Sequence, residues 1–364
     1  MLFRSTFNTW FRTGNIKRDD ILIPTVGTIG GCCISKEDRG CIAQNLIALR
    51  INKEIADADF LYYYFSSSLF RRHLLNLDIG GVQPSIKVPH ILDLEISLPP
   101  LSSQHRIANI LSSFDNKIEL LRKENNTLED IAQSIFKEWF VKYNFPNKDG
   151  KPYRDNNGKM IDSELGLIPD GWRVGKLGEV CELKSGYAFK GNDFTDNSHT
   201  KVIKIKDLKG NGEIDLTNLS SIKEDSIRNE MATKFLLFSG DILIAMSGNT
   251  TGKIGRMHKT QEKVFLNQRV GKLFFKDLNY YAYIYNFLTV NNYEEKILGM
   301  GYGSAQPNIN PSQINNIVIT VPPTNLLTYY NNIALLLLDK CTHNTNSQEI
   351  LELEKELLLN KLIK

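Results

Sequence analysis

The sequence predicts an α+β protein in which two mixed α/β domains are separated by two long antiparallel coiled-coil helices with approximate two-fold symmetry. The first observation is an internal repeat: DILIPTVGTIGG at 20–31 returns as DILIAMSGNTTG at 241–252, and VQPS at 82–85 returns as AQPN at 305–308. The second is a long heptad pattern after the first copy and a poorer one after the second copy. Two similar units, each followed by a helix, predict a pseudo-dyad.

The first domain is assigned to residues 1–101. The segments 21–26 and 42–51 are rich in apolar residues and predict strands, with a glycine turn between them. Residues 60–75 predict a helix. Residues 91–98 alternate apolar and polar side chains, which predicts a third strand that ends at Pro99 and Pro100.

The segment 102–145 predicts the first spacer helix, with its helical part at 102–143. Apolar residues recur there in steps of four and three, and one polar residue, Asn125, interrupts the seam. The seam consists of Ile107, Leu111, Phe114, Ile118, Leu121, Asn125, Leu128, Ala132, Ile135 and Trp139. A single long helix with one apolar stripe needs a partner, and we expect the helix at 325–363 to pair with it in antiparallel fashion. Asn125 would then face Asn344 and fix the register.

Residues 146–171 are rich in Pro, Gly, Asn and Asp and predict an extended linker. The second domain is assigned to 172–323 and the second spacer helix to 324–364. Strands are expected at 176–183, 201–205, 241–246, 264–275 and 316–321.

Aligning Asp20 with Asp241 places Met1 opposite about Ile222. The first domain is therefore expected to be N-terminally incomplete, without a counterpart of roughly 172–221. We expect it to be the weaker of the two domains in binding.

Composition and charge define the broad class of the protein. The 364 residues include 41% apolar and 23% charged residues, as in ordinary globular proteins, and the net charge is only +3. The excess lies in the second domain, where 19 Lys and Arg stand against 15 Asp and Glu. This weakly favours a phosphate-facing surface there, although a solvated surface of mixed charge explains it equally well.

The five cysteines form no CxxC pair, which argues against structural zinc and for reduced thiols. No apolar run reaches the roughly 18 residues of a membrane span, and the first residues lack the layout of a signal peptide. The sequence therefore predicts a cytoplasmic protein without a membrane partner.

Pseudo-two-fold proteins suit targets with their own dyad, and duplex DNA is the commonest such target. Asn and Gln side chains can pair with adenine and Arg with guanine, while Lys suits phosphate. In the second domain the candidate DNA-binding residues are Lys184, Tyr187, Lys190, Lys204, Lys206, Ser247, Asn249, Thr250, Lys253, Gln268 and Arg269. In the first domain they are Thr25, Thr28, Gln44, Asn45, Gln83 and Lys87. Simple turns or solvated faces remain the alternative at each position.

The search for catalytic motifs is negative. The segment 247–253 resembles a phosphate loop, but Ser247 stands where the first glycine is needed and Ile254 where Ser or Thr is needed. Asp170, Glu182 and Lys184 imitate the carboxylates and lysine of a metal nuclease, a short pattern that arises often by chance. We therefore predict no catalytic residue and no metal site.

Four stretches of the chain resemble the specificity (S) subunit of type I restriction–modification systems. They are LPPLSSQHRIANILSSFDNKIELL at 98–121, IFKEWFVKYNFPNKDGKPY at 135–153, GLIPDGWRVGKLGEVCELKSGYAFKGNDF at 166–194 and GDILIAMSGNTTGKIG at 240–255. The resemblance implies two target-recognition domains, each reading one half of a split double-stranded DNA site, and two spacer helices between them. The shortened first domain departs from that pattern.

The resemblance further implies partners: two methyltransferase (M) subunits and restriction (R) subunits. It assigns S-adenosylmethionine, ATP and Mg to those partners, so this chain would carry no cofactor and would not be an enzyme. Three alternatives stay open at this point. They are a coiled-coil scaffold that does not read DNA, a truncated and non-functional specificity subunit, and a nuclease that uses Glu182 and Lys184.

Overall fold

The computed structural model describes residues 16–26, 30–38, 40, 42, 45–76, 88–196, 198–227, 234–290, 293–301 and 307–363. The chain forms two compact units. The first comprises Met1–Arg122 and Ser347–Lys364, and the second comprises Lys123–Asn346. Each unit therefore contains part of both long helices, whereas the sequence-based division assigns each helix to a separate segment.

The first unit is a small antiparallel sheet covered by helices. Its elements are β1 (Ile21–Pro24), β2 (Cys33–Ile34), β3 (Leu46–Leu49), α1 (Ala58–Ser66), α2 (Ser68–Asn76), α3 (Val88–Leu92) and the first part of α4 (Leu101–Phe136). The strand order is β2-β1-β3. The apolar side of β1 and helix α1 meet in one core around Ile21, Phe60 and Leu111.

The second unit begins within α4, and a π-helical turn at Lys137–Val141 follows that helix. Its elements up to the second long helix are β4 (Met160–Ile161), β5 (Ile168–Pro169), β6 (Arg173–Lys176), α5 (Leu177–Val180), β7 (Cys181–Ser185), β8 (Phe194–Thr195), β9 (Thr200–Ile203), β10 (Leu208–Gly210), β11 (Glu213–Ile214), β12 (Ser220–Ile222), β13 (Ile242–Ala245), β14 (Ile254–Arg256), β15 (Lys263–Leu266), β16 (Val270–Phe275), α6 (Tyr281–Val290), α7 (Tyr293–Met300), α8 (Pro311–Asn315), β17 (Val318–Val321) and α9 (Thr324–Leu362).

Two four-stranded sheets carry the second unit. One has the order β14-β13-β16-β7 and is antiparallel, and the other has the order β15-β9-β12-β8 with β15 and β9 parallel. Short two-stranded pairs join β17 with β6, β10 with β11 and β4 with β5. An aromatic core that includes Phe140, Trp172, Tyr283 and Tyr330 packs beneath the first sheet.

The internal repeat predicted from the sequence is preserved in the strand register. In the first unit Ile23 pairs with Ile47, and in the second unit Ile244 pairs with Gly271. The third strands match as well, because Leu22 pairs with Cys33 as Leu243 pairs with Gly255. The two copies therefore share one strand–turn–strand framework.

The two long helices were predicted at 102–143 and 325–363, and the structure has them at Leu101–Phe136 and Thr324–Leu362. Nine of the ten seam residues lie on α4 and Trp139 lies on the π-helical turn after it. All ten are buried or half-buried, as the heptad pattern predicts. In the first unit Asp115 pairs with Lys355 and Arg122 with Glu352, which is the order of an antiparallel pair.

The predicted polar contact within the seam is confirmed inside the second unit. Asn344 Nδ2 donates to Asn125 Oδ1 at 2.9 Å, and Asn125 Nδ2 donates to Thr345 Oγ1 at 3.2 Å. Asn344 is fully buried. Because a buried amide needs partners, this contact favours one register of the pair.

Several predicted elements are wrong in detail. Residues 91–98 form the end of α3 and then irregular chain, not a strand. The corresponding strand of the second unit, β17, is held by pairing with β6. No described residue of the first unit supplies a partner equivalent to β6. The helix at 60–75 is two helices, since Ser67 is extended and its hydroxyl accepts from the amide of Phe70 to begin α2.

Two predicted strands of the second unit are each interrupted by a turn. The segment 176–183 contains the short helix α5, whose start is capped where the Lys176 amide donates to Glu179 at 2.8 Å. The segment 264–275 is split into β15 and β16 by a turn in which Val270 N donates to Asn267 O at 2.9 Å. The two strands belong to different sheets.

The segment 146–171, predicted as an extended linker, carries local structure. Strands β4 and β5 pair within it. Tyr153 stacks on Phe145 with ring centroids 4.6 Å apart, and Phe145 stacks on Trp172. The Pro- and Gly-rich composition here reflects tight turns around aromatic side chains.

Candidate nucleic-acid interface

Four loops of the second unit meet at one place, which we call the loop cluster: residues 185–190, 203–206, 246–251 and 266–270. The first and last of these are joined by backbone hydrogen bonds. Tyr187 N donates to Leu266 O at 2.9 Å, and Gln268 N donates to Tyr187 O at 2.9 Å. A Cβ at Gly186 would lie 2.4 Å from Leu266 O, so only glycine allows this close approach.

The other two loops are joined to the same cluster. Met246 N donates to Arg269 O at 3.0 Å, which connects the end of β13 to the turn before β16. Thr250 Oγ1 donates to Ile205 O at 2.9 Å, which connects the 246–251 loop to the lysine-bearing segment. Three of these four bonds join backbone atoms and one uses the Thr250 hydroxyl, so many side chains of the cluster stay available.

The side chains of the loop cluster fall into three classes of exposure. Exposed side chains are Lys190, Lys206, Asn249, Gln268 and Arg269. Half-buried ones are Tyr187, Lys204 and Thr250, together with the neighbouring Lys253, and Ser247 is buried. Exposed Arg, Gln and Asn can form paired hydrogen bonds with base edges, and exposed Lys can meet phosphate.

Lys204 is positioned by an aromatic ring. Its Nζ lies 3.8 Å from the centroid of the Phe194 ring. Burial, and then the nearby charge of Lys206, lower the pKa of Lys204 below its ordinary value. A bound anion such as a phosphate would offset the repulsion between the Lys204 and Lys206 ammonium groups.

Two predicted residues are placed differently from the rest. Lys184 lies on β7, where its Nζ is 3.1 Å from Glu182 and 5.5 Å from the centroid of Phe274. Ser247 lies in the cluster, but its Oγ is buried and has no hydrogen-bond partner among the described atoms. Ser247 therefore lies in the interior of the loop cluster, and Lys184 lies on the adjoining sheet.

The first unit repeats the anchor of this cluster. Thr25 N donates to Asn45 O at 2.9 Å, which is the counterpart of the bond between Met246 and Arg269. Asn45 is exposed and Thr25 is half-buried. The other predicted residues of the first domain, Thr28, Gln44, Gln83 and Lys87, lie outside the described residues.

Each repeat has one ionic contact at its base that was not predicted from the sequence. Asp20 accepts two hydrogen bonds from Arg50, at 3.0 and 2.8 Å, and Asp241 Oδ2 lies 2.6 Å from Lys272 Nζ. The hydrogen bond from Arg50 holds the pKa of Asp20 below its ordinary value although the carboxyl group is buried. The only sequence feature that could have indicated these contacts is the aspartate at the start of both DILI segments, Asp20 and Asp241.

Asp241 also accepts the Phe238 amide at 2.8 Å, as Asp20 accepts the Lys17 amide at 2.8 Å. Each aspartate thus closes the turn before its strand and neutralises a cation, which is Lys272 on β16 in one unit and Arg50 just after β3 in the other. This is a supporting role, because neither carboxylate lies in the loop cluster.

The described residues contain no group of three or more His, Cys, Asp or Glu side chains arranged to hold a metal ion. Asp170 pairs with Lys159 at 2.9 Å, and Glu182 pairs with Lys184. The residues that imitate a nuclease are therefore engaged in surface ion pairs. Among the described residues, no helix has both the length and the apolar character to cross a membrane.

Comparison with known proteins identifies the family. The family model for the type I restriction modification DNA specificity domain matches residues 12–130 and 169–355. The chain is 31% identical over 311 residues to the type I restriction enzyme MjaVIII specificity subunit of Methanocaldococcus jannaschii, covering 84% of this chain and 69% of that protein. It is 22% identical to the type I restriction enzyme HindI specificity subunit of Haemophilus influenzae, covering 96% of this chain and 86% of that protein.

A solved structure shares the fold. The S subunit of a type I restriction-modification system from M. genitalium superposes with a TM-score of 0.56 at 20% identity, covering 97% of this chain and 84% of that chain. Both family matches fall on the repeats and on the long helices that follow them. The chain therefore belongs to the family of type I restriction–modification DNA specificity proteins.

Proposed function

We propose that this chain is the non-catalytic specificity subunit of a type I restriction–modification complex and that it reads a bipartite site on double-stranded DNA. Family membership supports the DNA-specificity role. The single observation that carries the interface is the loop cluster, where backbone bonds join loops bearing exposed Arg269, Gln268 and Asn249.

The proposed division of labour follows the chemistry of these side chains. Arg269 and Gln268 lie next to each other on the turn before β16 and offer donors to guanine and donor–acceptor pairs to adenine. Lys190 and Lys206 lie on other loops of the cluster and offer positive charge to phosphates, which orients the duplex without reading it. In the first unit Asn45 occupies the position of Arg269, which favours adenine over guanine in that half of the site.

The partners follow from the same proposal. Two methyltransferase subunits and the restriction subunits would dock on this chain, and they would bring S-adenosylmethionine, ATP and Mg. The complex would act on DNA in the cytoplasm. The residues of this chain would bind and position DNA, and the bond-making steps would take place on the partners.

Substitution of Arg269 tests the base contact. The cognate site is first obtained by selecting DNA from a random pool with the chain assembled with its methyltransferase subunits. Arg269→Ala should weaken binding to that site by about 1–3 kcal/mol and relax preference at one base position. Arg154→Ala, an exposed arginine of the 146–171 segment, is the matched control. Unchanged affinity and unchanged base preference in a gel-shift titration at fixed salt would show that Arg269 does not contact the DNA.

The salt dependence of binding separates DNA reading from a scaffold role. A chain that neutralises phosphates loses affinity steeply as salt rises, and Lys206→Ala should lower the slope of log K against log salt by about 1 while leaving base preference unchanged. Lys259→Ala, another exposed lysine of the second unit, should leave the slope as it is. A complex whose DNA affinity is flat from low to high salt would favour the scaffold.

A further inference from the structure

A fifth segment of the second unit, residues 307–309, joins the loop cluster. Gly248 N donates to Pro307 O at 3.1 Å, and Ile309 N donates to Met246 O at 2.9 Å. The two bonds have the antiparallel pattern of a sheet, so the segment runs as an added strand along the beginning of a cluster loop. No residue of this segment was selected from the sequence as a candidate for DNA binding.

Asn308 takes the place that the next residue of strand β16 would have held. If the pairing of β13 with β16 continued in register, Gln268 would lie opposite Ser247. The turn before β16 instead draws the Gln268 amide to Tyr187 O, and Asn308 lies opposite Ser247 in an antiparallel bridge. Asn308 therefore follows directly after Arg269 along β13.

The backbones of Arg269 and Asn308 are close in space although they are far apart in the chain. Met246 N donates to Arg269 O at 3.0 Å, while Met246 O accepts from Ile309, the residue after Asn308. One residue along a strand advances about 3.4 Å, which is also about the distance between successive base pairs of a duplex. A base contact by Asn308 is therefore expected within about two base pairs of the one made by Arg269.

The Asn308 side chain is available for such a contact. It is exposed, and its amide makes no hydrogen bond with any described residue. Ser247, its neighbour across the bridge, does not engage it, because the Ser247 hydroxyl has no hydrogen-bond partner among the described atoms. The amide of asparagine offers a donor and an acceptor that match the N7 and N6 groups of adenine.

Helix α8 holds the segment at its other end. Asn310 caps this helix, because its Oδ1 accepts from Gln313 N at 3.0 Å and Gln313 Oε1 accepts from Asn310 N at 2.9 Å. Asn315, the last residue of the helix, binds β7, where its Oδ1 accepts from Leu183 N at 2.8 Å. Asn308 thus lies on a backbone that is fixed on both sides, which lowers the entropic cost of a base contact.

We propose that Asn308 is a specificity-determining residue of the second unit and that it reads an adenine within about two base pairs of the base read by Arg269. The inference rests on the proposed DNA-reading function and adds to it a contact from a separate part of the chain. The half-site of this unit is then read from two segments, the turn before β16 and residues 307–309.

Asn308→Ala tests the contact in the chain assembled with its methyltransferase subunits. DNA is selected from a random pool with the natural complex and with the variant complex. The natural complex should select an adenine at one position where the variant accepts all four bases, and the affinity for the natural site should fall about tenfold at fixed salt. The slope of log K against log salt should stay unchanged, because the lost amide carries no charge.

Asn308→Asp changes the chemistry of the contact and keeps its shape. A carboxylate accepts hydrogen bonds but does not donate them, and in base recognition it accepts from the N4 amino group of cytosine. The base selected at the same position should therefore change from adenine to cytosine. Asn126→Ala, which replaces an exposed asparagine of α4 outside the loop cluster, should alter no position. Thermal unfolding of each variant reports whether it is folded.

Three results would overturn the proposal. One is a selected motif that Asn308→Ala leaves unchanged at every position while Arg269→Ala relaxes one position, and the proposed function then stands without Asn308. Another is a uniform loss of affinity in Asn308→Ala with no change of base preference, because the contact would then be to the DNA backbone. A natural complex that selects no sequence would overturn the proposed DNA reading and this inference with it.

Discussion

At the scale of single residues, a buried lysine that supports the fold is paired, whereas two exposed cations of the loop cluster are not. Lys272 is only 8% exposed and is neutralised by Asp241, whereas Arg269 and Lys190 make no ion pair among the described residues. Sequence alone indicated Arg269 and Lys190 as candidates because of their residue types. It missed Lys272, since the strand that brings it to Asp241 lies about 30 residues away along the chain.

Glu129 is a half-buried carboxyl group that makes no ion pair among the described residues. It lines a small cavity of the second unit beside Tyr285 and Cys341. Burial, and then the nearby charges of Asp130 and Glu213, raise the pKa of Glu129 from 4.5 to about 7. The native state therefore holds this proton more tightly than the unfolded chain does.

This pKa predicts a pH-dependent stability. The contribution of Glu129 is fully present below about pH 4.5 and is lost as the pH rises through about 7. Glu129→Gln should therefore raise the free energy of unfolding at pH 8, by up to about 3 kcal/mol, and change it little at pH 5. Urea unfolding at the two pH values measures the difference, with exposed Glu164→Gln as control. Equal effects of Glu129→Gln at both pH values would contradict the assignment.

At the scale of elements, the long helices were predictable and several strands were not. A helix of 36 residues with a heptad seam is specified locally, by apolar residues that recur along one face. Strands depend on partner strands. Residues 91–98 alternate like a strand but have no partner strand among the described residues, and 264–275 is divided because its halves belong to different sheets. Neither the missing partner nor the division between sheets can be predicted from the local order of apolar and polar residues.

The Asn125–Asn344 contact gives a prediction for the helix pair. Asn125→Ala removes the acceptor of the buried Asn344 amide and should destabilise the protein by about 1–3 kcal/mol, the cost of an unsatisfied buried polar group. Asn126→Ala, the exposed neighbour, should change the stability by less than about 0.5 kcal/mol. Denaturant unfolding of the two variants compares them. Equal stability of the two variants would show that the contact does not secure the register.

The double substitution of Asn125 and Asn344 by Leu separates stability from register. Two apolar side chains should restore or raise the free energy of unfolding, because no buried amide remains unsatisfied. The register should become less unique, which disulfide trapping between cysteines introduced along the two helices would detect.

At the scale of the whole molecule, one framework is used twice with different surfaces. The strand registers match residue for residue, and even the left-handed turn before β1 returns, with Asp19 at φ 70° and Gly240 at φ 92°. The duplication was visible in the sequence as the repeated DILI and Gln-Pro segments. The grouping of 185–190, 203–206, 246–251 and 266–270 was not, because it depends on bonds between sheets.

Duplication with divergence predicts recognition in two blocks of different sequence. Arg269 and Asn45 hold equivalent positions, so a guanine preference in one block and an adenine preference in the other are expected. The Arg269→Ala substitution should then relax one block only, and Asn45→Ala the other.

Mapping of methylated bases across the genome of cells that carry the complex is the decisive test of whether this chain reads DNA. If it does, the methylated motif is split, disappears when this chain is deleted and changes in a single block when Arg269→Ala replaces the natural chain. A methylation pattern that is the same with and without this chain would contradict the claim that it reads DNA.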